Sequence, residues 1–248
     1  MKSSRLLRYF EEYIKKIDMS NAYAKSKYFH SLKSMDTAKI IAQDLGIFNE
    51  EEIVIIELIA LFHDIGNFGE KNHNYLDHVE EDMTMRSIEI LFDEGLLRKI
   101  TDDTKYDNII KLGIFCHNKE GLPKNIDEKT ACICNIMKDV YHLEELHMTI
   151  NYPFIDSRIN NYPTPEVYEE FKTFKQVSAK IADNNADNIL ISLSNLFSLN
   201  YPISYSLVVE RGYVTKIIDS LTFEDRKIEK FFKQIETVLD NYLKKQVK

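Results

Sequence analysis

Glycine and proline are scarce in this chain, and their scarcity limits the folds open to it. Only 7 Gly and 5 Pro occur in 248 residues. A β-sandwich or barrel needs turns at short intervals, and turns depend on these residue types. Apolar and small residues instead recur at steps of three and four, as in residues 23–45, which is the spacing of one face of an α-helix. The sequence therefore predicts an all-α fold.

Several helix boundaries can be read from residues that favour helix ends. Gly46 follows the first long helical pattern as a stop, and Asn49 stands before three glutamates as a helix start. The next helix should run through an apolar block and end at Gly66. Three prolines between 151 and 165 predict a loop, either a plain connection or an active-site lid. Further helices are expected at residues 78–93, 106–116, 127–149, 165–182, 185–198 and 223–244.

Charge and cysteine content exclude some classes of protein. A formal net charge of −8 disfavours general nucleic-acid binding, because that function needs a basic surface. The three cysteines, Cys116, Cys132 and Cys134, are few and odd in number, which favours free thiols in a reducing compartment. The N-terminal residues resemble an amphipathic helix more than a signal peptide, and no apolar run is long enough for a membrane span. We therefore expect a cytoplasmic protein.

The strongest chemical motif is the segment Leu61-Phe62-His63-Asp64-Ile65-Gly66. An apolar helix ends there in an imidazole beside a carboxylate, and both groups can bind the same cation. Apolar walls around such a pair strengthen its electrostatic interactions. The segment therefore predicts a metal site at the end of a buried helix.

Two further residues extend this site to a set of four ligands. His30 lies on a long predicted helix upstream, and Asp139 lies within the apolar helical pattern of Ile136-Met137-Lys138-Asp139-Val140. A carboxylate in such a pattern needs a cation or hydrogen-bond donors nearby, because an unpaired buried charge is costly. His30, His63, Asp64 and Asp139 thus form a candidate ligand set on three helices.

The order of these segments resembles the HD superfamily, whose members are mostly metal-dependent phosphohydrolases. The matching residues are His30, Ala60 to Gly66, His117-Asn118, Leu122-Pro123 and Asp139. The resemblance implies a single domain over residues 1–248, with an HD core at about 22–149 and a C-terminal helical extension at about 150–248. It also implies a divalent ion (Mn, Fe, Ni, Co, Zn or Mg) bound by the four candidate ligands.

A second metal position is expected to be weaker or empty. Many family members hold it with two additional histidines, and His117 matches one of them. The other is either His78 or a position now filled by Met83, and a thioether is a poor ligand for hard divalent metals. Both assignments remain open from the sequence, as does the oligomeric state.

The resemblance implies hydrolysis of a small phosphorylated, nucleotide-like substrate. Asp64 would orient or deprotonate the attacking water, and His117 would hold a second metal or meet the phosphate. Asn67 replaces a basic residue found in relatives, and the segment after Asp139 is less acidic than theirs. Two alternatives therefore stay open: a di-iron oxygenase, which requires both extra histidines, and a weakened relative that senses a nucleotide or binds a partner. Candidate phosphate-binding cations are Arg86, Lys119, Lys138 and Arg158.

Overall fold

The computed structural model describes residues 2–68, 80–119, 121–151 and 157–247. Within these ranges most of the chain is helical and only two short strands occur, which confirms the predicted all-α fold. The α-helices are α1 (Ser3–Ile14), α2 (Ala22–Leu45), α3 (Glu50–Phe62), α4 (Glu80–Phe92), α5 (Leu96–Ile100), α6 (Asp107–Cys116), α7 (Glu128–Asn151), α8 (Pro165–Phe171), α9 (Asn185–Ser194), α10 (Pro202–Arg211), α11 (Tyr213–Asp219) and α12 (Arg226–Gln246). Three 3₁₀ helices (Ile65–Phe68, Ala179–Ile181 and Asn195–Ser198) and two short strands, β1 (Arg158–Ile159) and β2 (Thr222–Phe223), complete the described elements.

The chain divides into two compact units, Met1–Tyr141 and His142–Lys248. The boundary lies within α7, a few residues before the predicted boundary between the HD core and the C-terminal extension. Whether the two units act as one domain, as the sequence led us to expect, stays a prediction. No helix of the described ranges is long and apolar enough to cross a membrane.

Helix α3 forms the centre of the first unit. All of its residues from Ile55 to Phe62 are buried, and it packs against α1, α2 and α6. Each large apolar side chain buried in this way contributes about 1.5–3 kcal/mol of transfer free energy. The single buried charge in this stretch, Glu57, pairs with Lys39 at 3.0 Å and accepts a hydrogen bond from Ser3 at 2.7 Å. The apolar block of the sequence is thus the core helix on which the candidate site is built.

The predicted boundaries between α2 and α3 are confirmed. Gly46 ends α2 in the left-handed conformation (φ 64°), which glycine adopts without steric cost. Asn49 caps α3, since its side chain accepts a hydrogen bond from the Glu52 backbone N–H while the Glu52 side chain accepts one from the Asn49 N–H. This reciprocal capping box satisfies two backbone donors that would otherwise lack partners.

Three features of the second half of the chain differ from the predictions. The predicted helix 165–182 is wrong, because α8 ends at Phe171 and Phe174 takes a left-handed φ of 56°. Helices α10 and α11 were not predicted. Pro202 lies in the first turn of α10, where the missing N–H costs nothing, and Gly212 joins α10 to α11 at a left-handed φ of 63°.

The proline-containing segment 151–165 is only partly a loop. Its residues 152–156 lie outside the described residues, and β1 follows them. β1 pairs in parallel with β2, with Ile159 opposite Phe223. A lid function for this segment stays a prediction.

Candidate metal centre

Three of the predicted ligands meet where α2 packs against the end of α3. His30 lies on α2 and is buried, as is His63, the residue that directly follows α3. Asp64 comes next in the chain, and its side chain is only 13 % exposed. The histidine at the helix end and the aspartate after it therefore face the histidine supplied by the neighbouring helix.

The donor atoms of these three residues surround one small space. His30 Nε2 lies 3.2 Å from His63 Nε2 and 3.5 Å from Asp64 Oδ2, and His63 Nε2 lies 3.8 Å from Asp64 Oδ1. One donor atom from each residue can be chosen so that all lie within 4.8 Å of one another. Nitrogens held about 2.1 Å from one cation lie roughly 3.0–3.4 Å apart in octahedral or tetrahedral coordination. The spacing of the two imidazoles thus fits a shared divalent ion.

Backbone contacts orient two imidazoles and determine which ring nitrogen carries the proton. His63 Nδ1 donates to the Ala60 carbonyl at 2.8 Å, and His117 Nδ1 donates to the Ile114 carbonyl at 2.6 Å. A carbonyl oxygen only accepts, so the proton resides on Nδ1 and leaves the Nε2 lone pair free to bind a cation. Such a contact also holds the ring in place. Local sequence explains these contacts, because each histidine lies at the end of a helix, three residues after the residue whose carbonyl it contacts.

The electrostatics of the site favour an ionised carboxylate at Asp64 and neutral imidazoles at His30 and His117. Burial alone would raise the pKa of Asp64, but Lys27 and the surrounding histidines hold it well below its usual value. Burial lowers the pKa of His30 well below its usual value, with Lys27 adding to the shift and Asp64 opposing it. Burial and His63 together lower the pKa of His117 to about 4. Neutral imidazole and ionised carboxylate are the forms that bind metals.

His117 approaches Asp64 Oδ1, whereas His30 approaches Asp64 Oδ2. The Nε2 of His117 is 4.0 Å from Asp64 Oδ1, and its ring centre is 4.8 Å from that of His63. Tyr141 packs edge-on against the same imidazole at 5.6 Å. His117 stands outside the group of three described residues whose donor atoms are mutually within 4.8 Å. The structure therefore brings it to the site, beside the first metal position.

Asp139 and His78 stay predictions as ligands. Asp139 is fully buried in α7, two residues before Tyr141, but among the described residues it does not join the compact group of His30, His63 and Asp64. His78 lies outside the described residues. Met83, the alternative for the His78 position, is half-buried on α4.

Sequence reasoning missed Lys27, the cation that lies in this site. Its Nζ donates to Asp64 Oδ2 at 2.8 Å. The spacing could have revealed it, because Lys27 precedes His30 by three residues and so shares its face of α2. Arg86, one of the cations that the sequence suggested, instead pairs with Glu89 and Glu94 at 2.9 and 2.5 Å.

Gly66 serves a different purpose from the one predicted. It does not end α3, which stops at Phe62, and it lies within the 3₁₀ helix Ile65–Phe68. A Cβ at Gly66 would come within 2.6 Å of the Met83 carbonyl oxygen and 2.9 Å of the Ser87 backbone nitrogen. The Gly66 N–H donates to Ser87 Oγ at 2.9 Å. The glycine thus lets the segment after Asp64 lie directly against the backbone of α4.

Gly66→Ala should destabilise the protein by about 2–3 kcal/mol, because the added methyl meets backbone atoms that cannot rotate away. Urea unfolding of the metal-free protein measures the effect. Gly121→Ala is the matched control, since a Cβ at Gly121 meets nothing within 4 Å. Equal stability of the two variants would show that α4 shifts freely and that this contact does not hold the site.

Comparison with known proteins assigns the fold around this site. A family model described as HD domain matches residues 28–149, a range that contains His30, His63, Asp64, His117 and Asp139. No curated protein and no solved structure matches the chain. HD domains bind divalent metals and are in general hydrolases. Residues 28–149 form an HD domain, and this part of the chain belongs to the HD superfamily.

Proposed function

We propose that this protein is a metal-dependent phosphohydrolase that acts on a small phosphorylated, nucleotide-like substrate. The observation that carries the proposal is the pair of imidazole nitrogens 3.2 Å apart beside an aspartate whose side chain is only 13 % exposed, within an HD domain. This donor set, two imidazoles and a carboxylate, suits divalent first-row metals. A small substrate is favoured over a polynucleotide because the net charge of −8 would repel a polyanion.

The residues of the site divide between binding the metal and handling the reaction. His30, His63, Asp64 and Asp139 would hold the ion, with His78 a further ligand if a second ion binds. A bound divalent cation supplies Lewis acidity and lowers the pKa of a water molecule. Asp64 is ionised and can orient that water or accept its proton. His117, whose unprotonated Nε2 lies 4.0 Å from Asp64 Oδ1, could bind a second ion or accept a hydrogen bond from that water.

The test is release of phosphate by the Mn²⁺- or Co²⁺-loaded protein. The substrates are nucleoside 5′-mono-, di- and triphosphates, with sugar phosphates as a comparison for the nucleotide preference. Separating orthophosphate, pyrophosphate and triphosphate among the products identifies the bond that breaks. We expect activity that a chelator removes and that Asp64→Asn lowers about 10³-fold, as expected for loss of an acid–base group.

Two outcomes would count against the proposal. Metal-loaded protein that hydrolyses none of these compounds would favour the non-catalytic alternative, in which the site senses a nucleotide or binds a partner. Hydrolysis confined to the sugar phosphates would support phosphohydrolase activity but contradict the preference for a nucleotide-like substrate. Arg8→Gln is the control for Asp64→Asn, because Arg8 lies on α1 and pairs only loosely with Glu12, at 3.8 Å, on the protein surface.

A further inference from the structure

Lys27 contacts the Asp64 carboxylate oxygen that lies beside His30. The Nζ of Lys27 is 2.8 Å from Asp64 Oδ2, and the side chains of the two residues are only 15 % and 13 % exposed. His30 Nε2 is 3.5 Å from the same carboxylate oxygen. The ammonium therefore contacts the oxygen that faces one of the metal-binding imidazoles.

A divalent ion and this ammonium cannot both hold that oxygen at close range. Two cations on one partly buried carboxylate repel each other strongly, since the surroundings screen charge less than bulk water does. Without a metal, on the other hand, a carboxylate as little exposed as that of Asp64 is stabilised by a counter-charge. We infer that Lys27 is the counter-cation of the metal-free site, that it competes with the metal for Asp64, and that it is displaced when the metal binds.

The aromatic ring of Tyr23 is close enough to receive the displaced Lys27 ammonium. The Nζ of Lys27 lies 5.9 Å from the centre of the Tyr23 ring, one turn earlier on α2, within the range of a cation–π contact. A lysine has a flexible stem with four carbons, so a small rotation moves its charge from Asp64 toward this ring. Displacement therefore needs no movement of the helix.

The inference rests on the proposed metal site, and its test is Co²⁺ affinity rather than activity. Titration with Co²⁺ alone, followed by visible absorption, also distinguishes nitrogen and oxygen ligands from cysteine thiolates. Lys27→Met should tighten Co²⁺ binding about tenfold, which corresponds to 1.4 kcal/mol. Lys27→Arg keeps the charge and should bind Co²⁺ much as the wild type does. Lys25→Met is the matched control, because it removes the same charge from an exposed position on the same helix.

Thermal unfolding gives a second, independent measure. Without metal, Lys27→Met should melt below the wild type, because Asp64 loses its partner. With saturating Co²⁺ this difference should shrink, because the wild-type ion pair is then already broken. Lys25→Met should show no such dependence on the metal. If Lys27→Met does not fold, Lys27→Gln takes its place in both measurements.

The outcomes separate failure of this inference from failure of the metal site. A wild-type protein that binds Co²⁺, together with a folded Lys27→Met variant of equal or weaker affinity, overturns the role of Lys27 and leaves the proposed function standing. A wild-type protein that binds no Co²⁺ overturns both. Tighter binding by Lys27→Met, but not by Lys27→Arg or Lys25→Met, supports the inference.

Discussion

Replacing His63 and Asp64 together with alanine will abolish binding of divalent metal. Wild-type protein purified without a metal-binding tag should carry roughly one divalent ion per chain, as expected for a site with several protein ligands. The double variant removes the central imidazole, whose Nε2 is 3.2 Å from that of His30, and the carboxylate that both histidines approach. Without these two adjacent groups, the remaining candidate ligands His30 and Asp139 are too few to hold an ion tightly. Elemental analysis and equilibrium dialysis measure the loss.

The control for this prediction separates the site from general metal uptake. The pair His147→Ala and Asp102→Ala removes the same two kinds of group from positions that are half-buried and exposed. It should leave the metal content unchanged. Circular dichroism should show that both double variants remain helical. Metal retained by His63→Ala/Asp64→Ala, or a wild-type protein that takes up no Mn, Fe, Co, Ni or Zn, would disprove the metal centre.

Replacing Asp139 with asparagine will weaken metal binding about 10- to 100-fold, or about 1.4–2.8 kcal/mol. Asp139 is fully buried in α7, and Tyr141, two residues later, packs against His117. Helix α7 therefore passes beside His117, although Asp139 does not join the compact group of three. We expect the carboxylate to act as the fourth ligand when a metal is present. Asparagine keeps the shape and removes the charge.

Glu57→Gln is the matched control for Asp139→Asn. Glu57 is also a buried carboxylate of the first unit, but its partners are Lys39, with which it forms an ion pair, and Ser3, which donates a hydrogen bond to it. Its loss should lower stability without changing metal affinity. If Asp139→Asn binds metal as tightly as the wild type, the site has three protein ligands, His30, His63 and Asp64. Isothermal titration of metal-stripped protein decides between these results.

Local features of this fold could be predicted because interactions within a few residues determine them. The capping box at Asn49, the left-handed stop at Gly46 and the apolar pattern of α3 each depend on neighbours in the chain. The same locality explains the errors. Pro202 and Gly212 look like breaks in the sequence, but they occupy the first turn of one helix and the junction to the next.

The residue types of the candidate site also follow from the sequence alone. An apolar helix that ends in His63-Asp64, with His30 and Asp139 on other helices, indicates a metal site, and the match to the HD domain supports that interpretation. Which of these groups meet was not determined by the sequence. The packing of α2 against α3 puts two imidazole nitrogens 3.2 Å apart, and the packing of α6 against α3 puts His117 Nε2 4.0 Å from Asp64 Oδ1.

Only the tertiary structure decided the parts of the site that depend on contacts between distant residues. Lysines are common on protein surfaces, so the role of Lys27 was not predicted from the sequence. It became evident from the packing, which places its ammonium 2.8 Å from Asp64. Gly66 likewise looked like a helix stop until the approach of the α4 backbone showed that no side chain fits there. Sequence patterns report the preferences of a segment, whereas these two roles arise from distances between segments that the patterns do not contain.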